Sequence, residues 1–129
     1  MTAHRDITAP STVKVKIVTP RLKATRDFYQ AVFGLRLVEE WDEPGDAGCI
    51  LALSDPPGTG LVEIYRGDRV HDFSGLCLQF KVPDLHRFLR SRTSGLAVRG
   101  PESRAWGSDY LFLTDPAGVP VVVFAGQSW

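Results

Sequence analysis

Cysteine is scarce: Cys49 and Cys77 are the only two in 129 residues. They lie far apart and outside any Cys-x-x-Cys spacing, so neither a disulfide framework nor a zinc knuckle is signalled. Both are expected to be free thiols. Histidine is equally thin, and none of His4, His71 and His86 falls on a segment that reads as a strand. Net charge is missing as well, since 15 basic and 15 acidic side chains cancel. That removes any electrostatic footprint for nucleic acid or anionic lipid. No apolar run approaches the length that spans a bilayer, and the opening MTAHRDITAPST lacks the apolar stretch of a secretion signal. The expectation is a cytoplasmic protein with a short loose tail over residues 1–12 and one domain over 13–127.

What is present fits a single soluble unit: 43% hydrophobic and 23% charged residues, in a chain long enough for one core and too short for two. VKVKIV, residues 13–18, alternates apolar and polar side chains, the period of a strand with differently solvated faces. Thr19 offers a helix N-cap and Pro20 a first helical position. Leu22, Thr25, Phe28, Tyr29, Val32 and Phe33 then recur at helical spacing until Gly34 closes the helix. Strand-like runs follow at 35–41, 49–53 and 61–65, separated by the turn-rich EPGDAG and SDPPGTG. The first module, about 13–66, reads βαβββ.

After the polar connector RGDRVHDFS the order restarts as a second module, about 75–127. A strand is expected over 76–82, then a helix capped by Asp84, carrying Leu85, Phe88 and Leu89 and ending at Gly95. Three more strands are expected at 97–99, 110–114 and 119–124, the last placed at an edge or a bulge because it contains Pro120. Asp55-Pro56-Pro57-Gly58 precedes the last strand of the first module and Asp115-Pro116-Ala117-Gly118 that of the second. Their separation equals the module length, as duplication requires.

The tandem βαβββ order, the text IVTPRLKATRDFYQAVFGLRL with its Phe28-Tyr29 and Phe33-Gly34-Leu35, and the late WGSDYLFLTDPAG together resemble the vicinal oxygen chelate superfamily. This is the glyoxalase, bleomycin-resistance and extradiol-dioxygenase group. The resemblance implies an α+β fold in which two modules form a curled mixed sheet around a concave cleft, and a homodimer. Metal-dependent members place a His on the first strand of each module and a Glu on the fourth strand of one or both. Counted from the matching motifs, those positions are Lys14, Glu63, Cys77 and Val122. An ammonium has no lone pair to donate, and Glu63 with Cys77 falls short of the three or four donors a divalent ion needs. The expectation is no metal and no other cofactor.

Alternation sets what shares the cleft. Lys14 and Lys16 would face it while Val13, Val15 and Ile17 face the helix, and Leu61, Glu63 and Tyr65 would join them with Cys77, Gln79, Lys81, Val122 and Phe124. Trp41 and Trp106 are candidates to stack a flat ligand. Apolar walls with a few convergent polar groups suit a small molecule. Each residue has a plainer reading: Lys14 and Lys16 as solvated strand residues, Cys77 as a small buried hydrophobe, the tryptophans as core margin, and Arg87, Arg90, Arg92 and Arg99 as a solvated surface. A Lys14 to Glu63 ion pair filling the metal position ranks above a catalytic one. Two functions stand: metal-free binding of a planar or aromatic molecule, in the manner of bleomycin-resistance proteins, or an isomerase or lyase with Glu63 as base and Lys14 as oxyanion partner. Unusual metal ligands, or a ligand-free subunit, remain open.

Overall fold

The computed structural model describes residues 6–58 and 60–127. Of the expected tail, residues 1–5, His4 among them, lie outside the described residues, and residues 6–12 are exposed. The described residues form eight strands and two helices: β1 Lys14–Thr19, α1 Leu22–Phe33, β2 Arg36–Glu43, β3 Asp46–Ala52, β4 Leu61–Arg66, β5 Leu78–Lys81, α2 Leu85–Arg92, β6 Arg99–Ser103, β7 Asp109–Thr114 and β8 Pro120–Ala125. They make two four-stranded sheets, ordered β1-β4-β3-β2 and β5-β8-β7-β6. In each, the first strand runs parallel to the fourth and the other pairs are antiparallel. This is the expected α+β architecture of two βαβββ modules.

Local chemistry sets the ends of the elements. Gly34 adopts the left-handed conformation (φ 64°) and returns its N–H to the Gln30 carbonyl, closing α1 where a side chain would be strained. The start of α1 differs from the expected cap. Thr19 stays in β1, its hydroxyl accepting the Arg21 N–H at 3.1 Å, so the helix opens at Leu22 beyond Pro20 with no side-chain cap. Asp84 does cap α2, accepting the Arg87 N–H at 3.0 Å, but the helix stops at Arg92, with the Thr93 hydroxyl on the Leu89 carbonyl, rather than at Gly95.

Two strands also depart from expectation. EPGDAG is mostly strand, because β2 and β3 continue into a tight turn around Pro44 and Gly45. Pro120 is on neither an edge nor a bulge. It is the first residue of a central strand, where its missing N–H is cheapest to lose.

The convex faces of both sheets meet the helices in one core, which holds Ile17, Leu51 and Ile64 from the first module and Leu111, Val121 and Val123 from the second. The Phe33 ring stacks 4.1 Å from Phe80 and 5.6 Å from Phe88, so α1 packs on the second module as well as its own. Ile17 is fully buried and Val15 half-buried, but Val13, expected against the helix, is 68% exposed just before β1 begins. Arg92 donates to the Ala31 carbonyl at 3.2 Å, tying α2 to the end of α1 instead of standing free in solvent.

Candidate functional site

Strand register places the candidate residues in rows. On the concave face of the first sheet, Lys16, Glu63, Ile50 and Glu39 lie side by side across β1, β4, β3 and β2; the next row is Val18, Tyr65, Gly48 and Trp41. Glu63 is 6% exposed. A carboxylate so nearly dry needs cations, and two supply them: Lys14 Nζ stands 2.6 Å from Oε1 and Lys16 Nζ 3.7 Å from Oε2. Both lysines keep about half their side chains in water, so the pair is open on one side. The Lys16 ammonium also sits 4.4 Å from the Tyr65 ring centre.

Asp46 organises the aromatic flank. It accepts the Trp41 indole N–H at 3.0 Å, and its hydrogen bond with the Tyr65 hydroxyl is the main reason that phenol is pushed above its ordinary pKa. Gly48 gives the indole its seat: a Cβ there would stand 2.6 Å from Trp41 Cζ2. Lys14, Glu39, Trp41, Glu43, Asp46, Ile50 and Glu63 line an open cleft of about 430 Å³. Asp46 and Gly48 were hidden in sequence inside a stretch with turn composition. Their partner Trp41 was the available signal, because cross-strand neighbours follow once the hairpin register is known.

The other candidates lie elsewhere. In the second sheet the row matching Lys16 and Glu63 is Gln79, Val122, Phe112 and Arg99. Cys77 and Val122 line a different cavity, of about 600 Å³, with Phe112 and Arg99. Cys77 is exposed, not a buried hydrophobe, and desolvation holds its thiol above the ordinary value. Gln79 is exposed and helps line a small pocket with Val13, Val15 and Leu61. Phe124 is buried, its ring 5.8 Å from Tyr110, and Trp106 is 58% exposed in the β6–β7 turn. His71 is exposed beside Phe73, and His86 is exposed on α2. Arg99, read from sequence as solvated surface, lies 3.8 Å over the Phe112 ring.

The sequence model of the Glyoxalase/Bleomycin resistance protein/Dioxygenase superfamily matches residues 11–123. The chain belongs to this superfamily. No curated protein matches it in sequence. Among solved structures, the fosfomycin resistance protein FosX of Listeria monocytogenes superposes with a TM-score of 0.75 at 11% identity, over 90% of this chain and 93% of that one. Lactoylglutathione lyase from Agrobacterium tumefaciens gives 0.68 at 21%, over 94% and 98%. A glyoxalase family protein from Enterococcus faecalis gives 0.67 at 21%, over 92% and 98%. At these identities the likeness is one of fold.

The metal that many superfamily members carry does not fit these residues. At the positions that the resemblance assigns to ligands, Lys14 is an ammonium paired with Glu63 and Val122 offers no donor atom, and among the described residues no three His, Cys, Asp or Glu side chains cluster as ligands. The first module's cleft thus holds a nearly buried carboxylate between two ammoniums, flanked by an indole and a phenol.

Proposed function

We propose that this superfamily member binds a small planar molecule in the cleft of its first module without a metal ion, sequestering it rather than converting it. The reading rests on Lys14 and Lys16 converging on Glu63 at the position that metal-dependent relatives give to a ligand. Trp41 and Tyr65 offer faces for a flat ring, and Glu63 with the lysines offers polar contacts on which to orient it. Carboxylates outnumber ammoniums around the cleft, which favours a ligand with a cationic or hydrogen-donating edge.

The reading includes a cytoplasmic homodimer. Support for the dimer comes from the superfamily resemblance; among the described residues no helix is long and apolar enough to cross a membrane. Native mass spectrometry of freshly purified protein is the test. A metal-free dimer carrying an added organic mass is the expected spectrum, and a stoichiometric divalent ion would overturn the proposal.

One observation favours a second reading, an isomerase or lyase. The 2.6 Å contact places an ammonium where it could stabilise an oxyanion beside a carboxylate base. Glu63→Gln separates the two: it abolishes turnover of a substrate if Glu63 is the base, and changes affinity only modestly if the cleft merely binds.

A further inference from the structure

Among the described residues β1, β2, β5 and β6 each end a sheet, but their outer edges are not equally open. Val15 of β1 and Leu78 of β5 line one small pocket, so those two edges lie close together. β6 is short, is broken by a register shift between Arg99 and Glu102, and contains Pro101, which has no N–H to offer a partner strand. β2 differs from all three. It runs for eight residues, the longest described strand, and every one except the half-buried Trp41 is exposed.

The register of β2 on β3 slips between Leu37 and Glu39, then holds without a break from the Glu39 and Ile50 pair to the Glu43 and Asp46 pair. Along that regular stretch alternate residues turn their N–H and C=O groups away from β3, a row of backbone groups that can template another strand. Its side chains are carboxylates at Glu39, Glu40, Asp42 and Glu43, interrupted by Trp41. Arg26 reaches Glu40 at 3.4 Å and Arg66 stands 3.9 Å from Asp42, both long contacts, and among the described residues Glu39 and Glu43 have no ion pair. The charge pattern selects the partner. Antiparallel pairing of β2 with a second copy, centred on Trp41, would set Glu39 against Glu43 and Glu40 against Asp42, and like charges directly opposite destabilise a ladder. A homodimer therefore forms through another face. A strand with lysine or arginine at those four places meets a carboxylate at each.

We propose that the outer edge of β2 docks an extended basic segment of another protein, which adds to the first sheet as an antiparallel fifth strand. Main-chain hydrogen bonds supply the affinity and the carboxylates choose the sequence. The inference stands on an open backbone edge and on charge complementarity, and does not depend on the ligand proposed for the cleft.

The probe is the capped peptide TRKVKRT, titrated into the isotope-labelled full chain and followed by nuclear magnetic resonance, which reads weak binding and locates it. Two controls accompany it: the acidic peptide TEEVEET, and TRKVKRT methylated on the backbone nitrogens that would pair, which keeps the charge and loses the donors. TRKVKRT is expected to shift the amide signals of residues 39–43 and to protect the outward-facing amides from hydrogen exchange. Backbone methylation should weaken it by about tenfold or more, and TEEVEET should not bind. The double change Glu40→Lys with Asp42→Lys lies on the face of β2 turned away from the cleft, at exposed side chains, and should weaken TRKVKRT by about tenfold by setting like charges opposite each other. The proposal is overturned if TRKVKRT does not bind at β2, or if the methylated peptide binds as tightly, which would reduce the contact to bulk charge. It is equally overturned if the double variant keeps wild-type affinity, or if β2 amides become protected with rising protein concentration alone, the sign that a second copy occupies the edge.

Discussion

The Tyr29 hydroxyl donates a 2.6 Å hydrogen bond to Asp115 Oδ2, joining α1 of the first module to the Asp-Pro-Ala-Gly turn of the second. Asp115 Oδ1 accepts the Val119 N–H at 2.8 Å, so the carboxylate also shapes its own turn. Both residues are buried, Tyr29 completely. The fully buried anchor that packs the motif Phe28-Tyr29 onto the sheet thus also fastens the two modules together.

Removing that hydroxyl in Tyr29→Phe should cost about 1.5–3 kcal/mol at neutral pH, the range for a bond to a charged group. Burial raises the Asp115 pKa above its ordinary value, against the pull of Tyr29 and three backbone N–H groups. Ionising Asp115 in the folded state therefore costs stability: this contribution is most favourable below the unfolded pKa and is lost as pH rises through the folded one. Tyr29→Phe removes a donor to the ionised form and raises that pKa further. Its deficit should shrink as the pH falls into the range where Asp115 protonates. Urea unfolding of both proteins across that range checks this, and a deficit that grew on acidification would contradict it.

Much of this arrangement was legible in the sequence because hydrophobic period and turn chemistry are local. Leu22, Thr25, Phe28, Tyr29 and Val32 are the buried stripe of α1, and Asp84 caps α2. Lys14 and Glu63 were placed together by motif counting, which carries positions between relatives irrespective of the side chains present. The rest was illegible for physical reasons. Asp46 and Gly48 sit in turn-like text that hairpin pairing turns into strand. The Arg99 seat depends on a register shift between Arg99 and Glu102, which no alternation pattern announces.

Gly48 is glycine for want of space rather than for an unusual backbone angle. A Cβ there would come within 2.9 Å of the Ile64 carbonyl oxygen as well as 2.6 Å of the indole. The carbonyl belongs to the β3–β4 ladder and yields little, so the indole must move. Gly48→Ala should destabilise by about 1–3 kcal/mol, as overpacking does. It should also break the Trp41 bond to Asp46, visible as altered near-ultraviolet circular dichroism. A thermal midpoint and spectrum matching wild type would show that the cleft tolerates the methyl.

The two thiols should behave differently toward iodoacetamide. Cys49 is 1% exposed and its pKa is raised by burial, so it should react only on unfolding. Cys77 is exposed, but its raised pKa leaves little thiolate at neutral pH. Intact-mass analysis should show one slow addition in the native protein, about tenfold faster per pH unit until the thiol titrates. Rapid, pH-independent alkylation at neutral pH would instead mean an activated thiolate.

Lys14 and Glu63 should be energetically coupled, with Lys16 limiting how much either single change costs. Lys14→Met leaves the nearly buried Glu63 with a partner 3.7 Å away, a poorer contact than the 2.6 Å it loses. Glu63→Leu leaves two ammoniums that can turn into water, since each side chain is 40% or more exposed. Removing the lysine should therefore hurt stability more than removing the carboxylate. The double variant should recover part of that loss, because an apolar pair avoids the desolvation of a buried charge. A coupling of about 1–3 kcal/mol is expected from a double-mutant cycle on chemical unfolding. Additive single effects would mean that solvent screens the pair completely, and that Glu63 is held by the fold instead of by its lysines.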